Sequence, residues 1–275
     1  MAPHYPLKPS KRLGQNFLLD QGIASDIVSS INPTESDTVL EPGPGHGTLT
    51  RLLQKKAGKV IAVEKDPVLV RELTETFRDY PNIVIIEADI LKTNPMPHFN
   101  KVVSTPPYYL SSKLALFLSK TKFDVAGVVF QKEFGERLLA EPGTREYGRL
   151  TVSVGRRLKI EKIREISSTA FRPRPKVDSI LLRMTPLQNP RHLNEQSFEE
   201  VVRGVFTQRR RLTRSALAHF LRRKLGRESA RKIMSEMTLP DARVFQLSIA
   251  QLEDLSEQLA PRLVGKTALE MQGDD

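Results

Sequence analysis

The chain has 275 residues, of which 39% are hydrophobic and 27% charged, a composition typical of a globular protein with one large core or two modest ones. It contains no cysteine, which excludes disulfides, thiolate metal sites and cysteine nucleophiles, and we expect no bound metal. The net charge of +11 favours a polyanionic partner. No apolar run is long enough to span a membrane, and we expect a cytoplasmic protein that does not bind a membrane. We also expect a monomer.

Short apolar segments alternate with helical patterns up to about residue 185. Seven of them predict strands, at Thr38–Glu41, Val60–Glu64, Ile83–Glu87, Lys101–Ser104, Val125–Gln131, Leu158–Ile163 and Ser179–Met184. Helical patterns lie between the first five, at Thr48–Lys56, Pro67–Phe77 and Ser112–Ser119. This alternation predicts an α/β fold with a mainly parallel sheet covered by helices on both faces.

The pattern becomes helical after the proline-bearing segment Thr185–Arg191. Amphipathic helices are predicted at Phe198–Phe206, Leu212–Leu225 and Ser248–Leu259. We therefore expect a sheet domain over residues 1–188 and a small all-helical domain over residues 189–275.

The positive charge is concentrated in Pro190–Ser235, where twelve Lys and Arg stand against four Glu. A solvated helix face would carry more acidic residues among them, so this segment predicts a surface that contacts the phosphates of a nucleic acid. The N-terminal Lys8, Lys11 and Arg12 could add to it. The candidate RNA-binding residues are Arg209, Arg210, Arg211, Arg214, Arg222, Arg223 and Lys224.

The first predicted strand runs into a loop with glycines at 43, 45 and 47. Glycines let the backbone turn sharply and approach a ligand, at the sheet edge where such folds bind nucleotides. Glu64 closes the second strand and could accept both ribose hydroxyls of an adenosine. Asp89 follows the third strand and could accept from an adenine amine. Acidic side chains at successive strand ends predict a nucleoside site.

Two ligands fit this loop, a dinucleotide and S-adenosylmethionine. A dinucleotide loop has the spacing G-x-G-x-x-G, which places the pyrophosphate at a helix N-terminus. Here the spacing is G-x-G-x-G after the acidic Glu41, which favours S-adenosylmethionine. Glu41 could face the ammonium group of that ligand or have a structural role.

The segment K-V-V-S-T-P-P-Y-Y, residues 101–109, follows about sixty residues later. The two prolines hold Thr105 and Pro106 extended, so backbone carbonyls there can accept hydrogen bonds. Tyr108 offers a flat ring on which a base can stack. The alternative is an ordinary proline turn. With the glycine loop, the segment predicts a methyltransferase acting on an amino group of a base.

These motifs together resemble the ribosomal RNA adenine dimethyltransferases, which modify two adjacent adenosines near the 3′ end of small-subunit ribosomal RNA. The sequence around Q-K-E-F-G-E-R is similar to that of archaeal members of the family. The resemblance runs from Leu13 to about Leu259 and rests on L-G-Q-N-F-L-L-D, E-P-G-P-G-H-G-T-L-T, A-V-E-K-D, A-D-I-L, T-P-P-Y, F-Q-K-E-F, F-R-P-R-P-K-V-D-S and V-F-T-Q-R-R-R-L-T-R.

The resemblance implies a Rossmann-like S-adenosylmethionine-dependent methyltransferase that binds the immature small ribosomal subunit. The implied cofactor residues are Asn16, Leu18, Gly43, Gly45, Glu64, Lys65, Asp89, Ile90 and Thr105. The implied catalytic residues are Thr105, Pro106, Pro107 and Tyr108, with Phe171 on the other face of the base. From the residues alone, Asn16 could instead be a cap, Leu18 a packing residue and Phe171 part of the core.

The chain departs from the family at Thr105, where the family has asparagine in Asn-Leu-Pro-Tyr. The threonine hydroxyl can still accept a hydrogen bond, but it is shorter and β-branched. Pro106 keeps the carbonyl that the family uses, and we expect retained but altered activity. Two other functions stay open: a ribosome-assembly factor with weak or no methylation, and an adenine methylase acting on large-subunit RNA or DNA.

Overall fold

The computed structural model describes residues 15–270, and the side chains of residues 15–263. Contacts divide the chain into two compact units. The first contains the chain up to Leu139 and Arg157–Leu187, and the second contains Ala140–Arg156 and the chain from Gln188. The sequence predicted a single division after residue 188, whereas the contacts also place residues 140–156 with the second unit.

Within the described residues, all strands lie in the first unit. They are β1 (Phe17–Leu18), β2 (Thr38–Pro42), β3 (Lys59–Glu64), β4 (Ile83–Glu87), β5 (Lys101–Ser104), β6 (Val125–Gln131), β7 (Leu158–Ile166), β8 (Phe171–Arg172) and β9 (Ser179–Pro186). Seven form one sheet in the order β4-β3-β2-β5-β6-β9-β7, and β1 pairs with β8. The strands β4, β3, β2, β5 and β6 are parallel, whereas β9 is antiparallel to both β6 and β7.

Five helices of the first unit connect these strands. They are α1 (Gln21–Ser29), α2 (Thr48–Leu53), α3 (Pro67–Thr76), α4 (Ser111–Ser119) and α5 (Lys132–Leu138). Asp20 caps α1 by accepting from the Ile23 amide at 2.9 Å. Asp66 caps α3, with Pro67 at the first helical position, where its missing N–H is not needed.

Apolar side chains cover both faces of the sheet. Val39 and Leu40 are neighbours on β2 and therefore point to opposite faces, yet both are 0% exposed. Val39 belongs to a core cluster with Ile27 of α1 and Leu53 of α2. The prediction of a Rossmann-like α/β sheet with helices on both faces is confirmed.

The second unit is helical and has its own core. Its helices are α6 (Arg149–Gly155), α7 (Glu195–Phe206), α8 (Thr213–Leu225), α9 (Arg227–Glu236) and α10 (Ile249–Glu270). The predicted C-terminal helices are confirmed, whereas α9 was not predicted. In the part of the chain that the structure describes, no helix combines the length and apolarity needed to cross a membrane.

A buried arginine explains why residues 140–156 belong to the second unit. The side chain of Arg156, at the end of α6, is 2% exposed and donates to both carboxylate oxygens of Glu195 at 2.8 Å. It also donates to Glu253 of α10 at 3.3 Å, and its guanidinium lies 4.2 Å from the centroid of the Phe198 ring. Since a buried charge is tolerated only when it is paired, these contacts hold α6 against α7 and α10.

Candidate cofactor site and catalytic segment

The loop after β2 has backbone φ angles that glycine adopts more readily than other residues. Gly43, Gly45 and Gly47 have φ angles of 70°, 58° and 77°, in the left-handed region that other residues rarely adopt. A Cβ atom on Gly45 would also lie 3.0 Å from Cδ1 of Phe17. The loop therefore makes the sharp turn that its sequence predicts and leads directly into α2.

A cavity opens beyond the carboxyl ends of β2, β3 and β5. It brings together all nine predicted cofactor residues, which come from five separate segments of the chain. The predicted residues that line it are Asn16, Leu18, Gly43, Gly45, Glu64, Lys65, Asp89, Ile90, Thr105 and Pro107.

The Glu64 carboxylate is held in a fixed orientation at the end of β3. Its Oε1 accepts from the amides of Lys65 at 2.8 Å and Asp66 at 2.9 Å. Burial raises the pKa of Glu64, although these backbone bonds act in the opposite direction. Its Oε2 receives a single long contact of 3.4 Å from the Gly45 amide, so this oxygen keeps capacity for a ligand hydroxyl.

Asp89 lies after β4 and pairs with Lys65, which follows β3. The Lys65 Nζ is 3.0 Å from Oδ2 of Asp89, and the Leu91 amide donates to Oδ1 at 3.1 Å. Partial burial acts to raise the pKa of Asp89, but the hydrogen bond from Lys65 and the bond from Leu91 hold it below its ordinary value. Asp89 is therefore an ionised acceptor at the cavity wall.

Glu41 does not line the cavity. It is 1% exposed, and its Oε2 accepts from the Thr50 hydroxyl of α2 at 2.7 Å. Burial raises the pKa of Glu41 to about 8; the Thr50 bond opposes this, and the charge of Glu64 adds to it. This geometry supports the structural role for Glu41.

The N-terminal segment lies against the glycine loop. The ring centroids of Phe17 and His46 are 4.3 Å apart, and the Thr48 hydroxyl donates to the Leu18 carbonyl at 3.1 Å. These contacts place Asn16 and Leu18 at the cavity. Sequence reasoning missed Phe17, His46 and Thr48, because a contact across about thirty residues leaves no local pattern.

The candidate catalytic segment, Thr105–Tyr108, is fixed to the glycine loop by Ser104. This residue is 0% exposed, and its hydroxyl donates to the Pro42 carbonyl at 2.6 Å. The bond ties the end of β5 to the end of β2, so that Thr105 emerges at the cavity. Pro106 is buried and lines a smaller apolar cavity next to it.

The two tyrosines of this segment have different surroundings. The Tyr108 hydroxyl forms a hydrogen bond of 2.7 Å with the hydroxyl of Ser179 on β9, and burial raises the pKa of Tyr108. Tyr108 is half-buried and is not among the residues that line the cavity, whereas Tyr109 is 55% exposed and lines it. The sequence reasoning assigned no role to Tyr109.

The prediction for Phe171 requires correction. Its side chain is 4% exposed and packs in the core cluster with Leu18 and Ala170. Phe171 pairs with Leu18 in the short β1–β8 ladder, which fixes it in this position. The structure therefore does not bring Phe171 to the cavity, and it has the core position that the residues alone suggested.

The predicted RNA-binding residues divide into two groups. Arg209 has internal partners, since it donates to the carbonyls of Thr144 and Arg145 at 3.3 and 3.0 Å and lies 5.7 Å from the Phe245 ring centroid. Lys224 also has an internal partner, Glu200, at 2.6 Å. The remaining predicted residues are exposed, at Arg210, Arg211, Arg214, Arg222 and Arg223.

Some predictions lie outside the described residues, namely Lys8, Lys11 and Arg12 and the first two residues of the L-G-Q-N-F-L-L-D motif. Within residues 15–263, no group of acidic and histidine side chains is arranged to hold a metal ion.

Comparison with known proteins places the chain in a family. Residues 7–260 match the family described as "Ribosomal RNA adenine dimethylase". A protein of Thermococcus sibiricus named "Probable ribosomal RNA small subunit methyltransferase A" is 39% identical over 93% of both chains. A protein of the same name from Methanopyrus kandleri is 37% identical over 90% of this chain and 93% of its own.

Two solved structures agree with this result. A dimethyladenosine transferase from Plasmodium falciparum has a TM-score of 0.79 and 26% identity, over 90% of this chain and 98% of its own. The 23S rRNA methyltransferase ErmE has a TM-score of 0.65 and 29% identity, over 89% of this chain and 100% of its own. The chain belongs to the ribosomal RNA adenine dimethylase family.

Proposed function

We propose that this protein transfers methyl groups from S-adenosylmethionine to the exocyclic amines of two adjacent adenosines near the 3′ end of small-subunit ribosomal RNA. The observation that carries the proposal is the cavity in which Glu64, Asp89 and Thr105 meet at successive strand ends. The names of the 37–39% identical relatives support the small ribosomal subunit as the substrate.

The charges of the cavity fit a nucleoside that carries positive charge. Glu64 and Asp89 present two carboxylates to the cavity, and Lys65 is paired with one of them. These carboxylates suit the ribose hydroxyls and the amine of an adenosine, and their negative charge would attract the sulfonium and ammonium groups of S-adenosylmethionine. S-adenosylmethionine would supply an activated methyl group on its sulfonium. Glu64 would accept from the ribose hydroxyls, Asp89 from the adenine amine, and Ile90 would pack on the adenine.

Thr105 and Pro106 would orient the acceptor amine. The lone pair of an adenine amine is delocalised into the ring, so the amine is a weak nucleophile until it is aligned with the methyl group. The Thr105 hydroxyl and the Pro106 carbonyl would each accept one N–H, which favours tetrahedral nitrogen in the transition state. Tyr108 would stack on the base after the base leaves the RNA. A strong base is not required, because the methylated nitrogen is acidic and releases its proton to water.

Radiolabelled methyl transfer to undermethylated small subunits tests this function. We expect transfer to small subunits, and little to large subunits or DNA, because the 37–39% identical relatives carry small-subunit names. Preferred transfer to large subunits would support the activity named for ErmE instead. The assembly-factor alternative predicts no measurable affinity for S-adenosylmethionine by calorimetry. We do not favour it, since the cavity retains Gly43, Glu64 and Asp89.

A further inference from the structure

A groove between α8 and α9 in the second unit is lined by four arginines. Arg214 and Arg222 lie eight residues apart on α8, and Arg227 and Arg231 lie four apart on α9, so each pair occupies one face of its helix. Small or apolar side chains lie between them, at Ala218, Ala230 and Met234. Glu228 is the one acidic side chain described in the lining.

These four arginines form no polar side-chain contact within the described fold. All four are exposed, and none of their side chains forms an ion pair or hydrogen bond with the residues that the structure describes. The internally bound Arg209 and Lys224, by contrast, do not line this groove. The charge of the groove is therefore available to a ligand.

Two of the arginines also lie at helix N-termini, where a positive charge reduces helix stability. Arg214 lies in the first turn of α8, and Arg227 is the first residue of α9. A helix N-terminus carries partial positive charge, so a positive side chain there is unfavourable unless an anion compensates it. Residues that break a local rule without an internal partner are typical of functional sites.

We propose that the α8–α9 groove binds the phosphate backbone of the RNA substrate. The inference rests on the proposed function for the identity of the RNA, and it adds Arg227 and Arg231 to the contact surface. Guanidinium groups bind phosphate oxygens through two parallel hydrogen bonds, and such contacts do not depend on base sequence. The groove fixes the position of the RNA, while the cavity of the first unit selects the base.

A pair of double variants with equal loss of charge tests the groove. Arg227→Ala with Arg231→Ala removes two groove arginines. Arg203→Ala with Lys232→Ala removes two exposed charges that do not line the groove, one of them the neighbour of Arg231. Alanine is a strong helix former, so all four sites should keep their helices.

Binding is measured at several salt concentrations with a fluorescein-labelled small-subunit RNA fragment and an unrelated RNA of equal length. Each lost phosphate contact reduces the magnitude of the slope of log K against log salt by about 0.7 for single-stranded RNA. The slope of the groove variant should therefore be smaller in magnitude by about 1.4 than that of the wild type. The groove variant should weaken binding of both RNAs, while the control variant keeps the wild-type slope. Equal slopes in the two variants, or no RNA binding by the wild type, would overturn the proposal.

Methyl transfer and cofactor affinity separate this inference from the proposed function. If the wild type transfers no methyl group but the groove variant still lowers the slope, the proposed function fails and the groove stands. If transfer occurs and the slopes are equal, the groove alone fails. Affinity for S-adenosylmethionine should be the same in all three proteins.

Discussion

Glu41→Gln changes how stability depends on pH. Glu41 is buried beneath the glycine loop and accepts one hydrogen bond from Thr50, a bond that the glutamine carbonyl can also accept. The substitution therefore removes a titrating group with little change in shape. We expect the wild type and the variant to differ most at alkaline pH.

The sign follows from the raised pKa of Glu41, about 8 in the folded protein against 4.5 for the ordinary group. Below pH 4.5 the carboxyl is neutral in both states and no charge is buried. Between pH 4.5 and 8 only the unfolded chain loses its proton, so the free energy of unfolding falls as pH rises. At about 1.36 kcal/mol for each pKa unit, the full loss of unfolding free energy above pH 8 is on the order of 5 kcal/mol.

Urea unfolding of both proteins at pH 5 to 9 measures this difference. The variant should be close to the wild type at pH 5 and more stable by on the order of 5 kcal/mol at pH 9. Glu35→Gln, at an exposed site of the same unit, should reproduce the wild-type profile. A difference between wild type and Glu41→Gln that stays constant from pH 5 to 9 would refute the reasoning.

Three further substitutions test separate parts of the account. Arg209→Ala should destabilise the second unit by about 2 kcal/mol in thermal unfolding, because hydrogen bonds from a charged donor are lost, whereas Arg210→Ala should change little; equal effects would contradict the structural role of Arg209. Asp89→Asn should raise the calorimetric Kd for S-adenosylmethionine roughly tenfold because a charged acceptor becomes neutral, and an unchanged Kd would remove Asp89 from the site. Thr105→Asn should increase methyl transfer by restoring a longer acceptor; transfer by the variant alone would mean that Thr105 abolishes activity.

Most strands of the sheet could be predicted because their apolar runs are continuous. Val125–Gln131 has the predicted bounds, since every residue but the last is buried and the run ends at a helix. The helix α9 could not be predicted in the same way. Only Ala230 and Ile233 of its ten residues are buried, and two apolar positions among charged residues do not form a recognisable stripe.

The grouping of the predicted cofactor residues around one cavity was easier to predict than the surroundings of Arg209 and Phe171. Glu64 and Asp89 could be assigned because parallel strands end at one edge of a sheet, which a linear pattern reveals. The role of Arg209 depends on carbonyls 64 and 65 residues away, and such partners are invisible in a run of arginines. The position of Phe171 likewise depends on a two-residue ladder with the N-terminal segment.

The most direct test of the central claim is to identify the methylated nucleosides after reaction. Undermethylated small subunits are incubated with the protein and S-adenosylmethionine, and their RNA is digested and mapped by mass spectrometry. The account predicts dimethylated adenine amines at two adjacent positions near the 3′ end. Unmethylated adenosines at those positions, or methyl groups confined to other nucleotides, would contradict it.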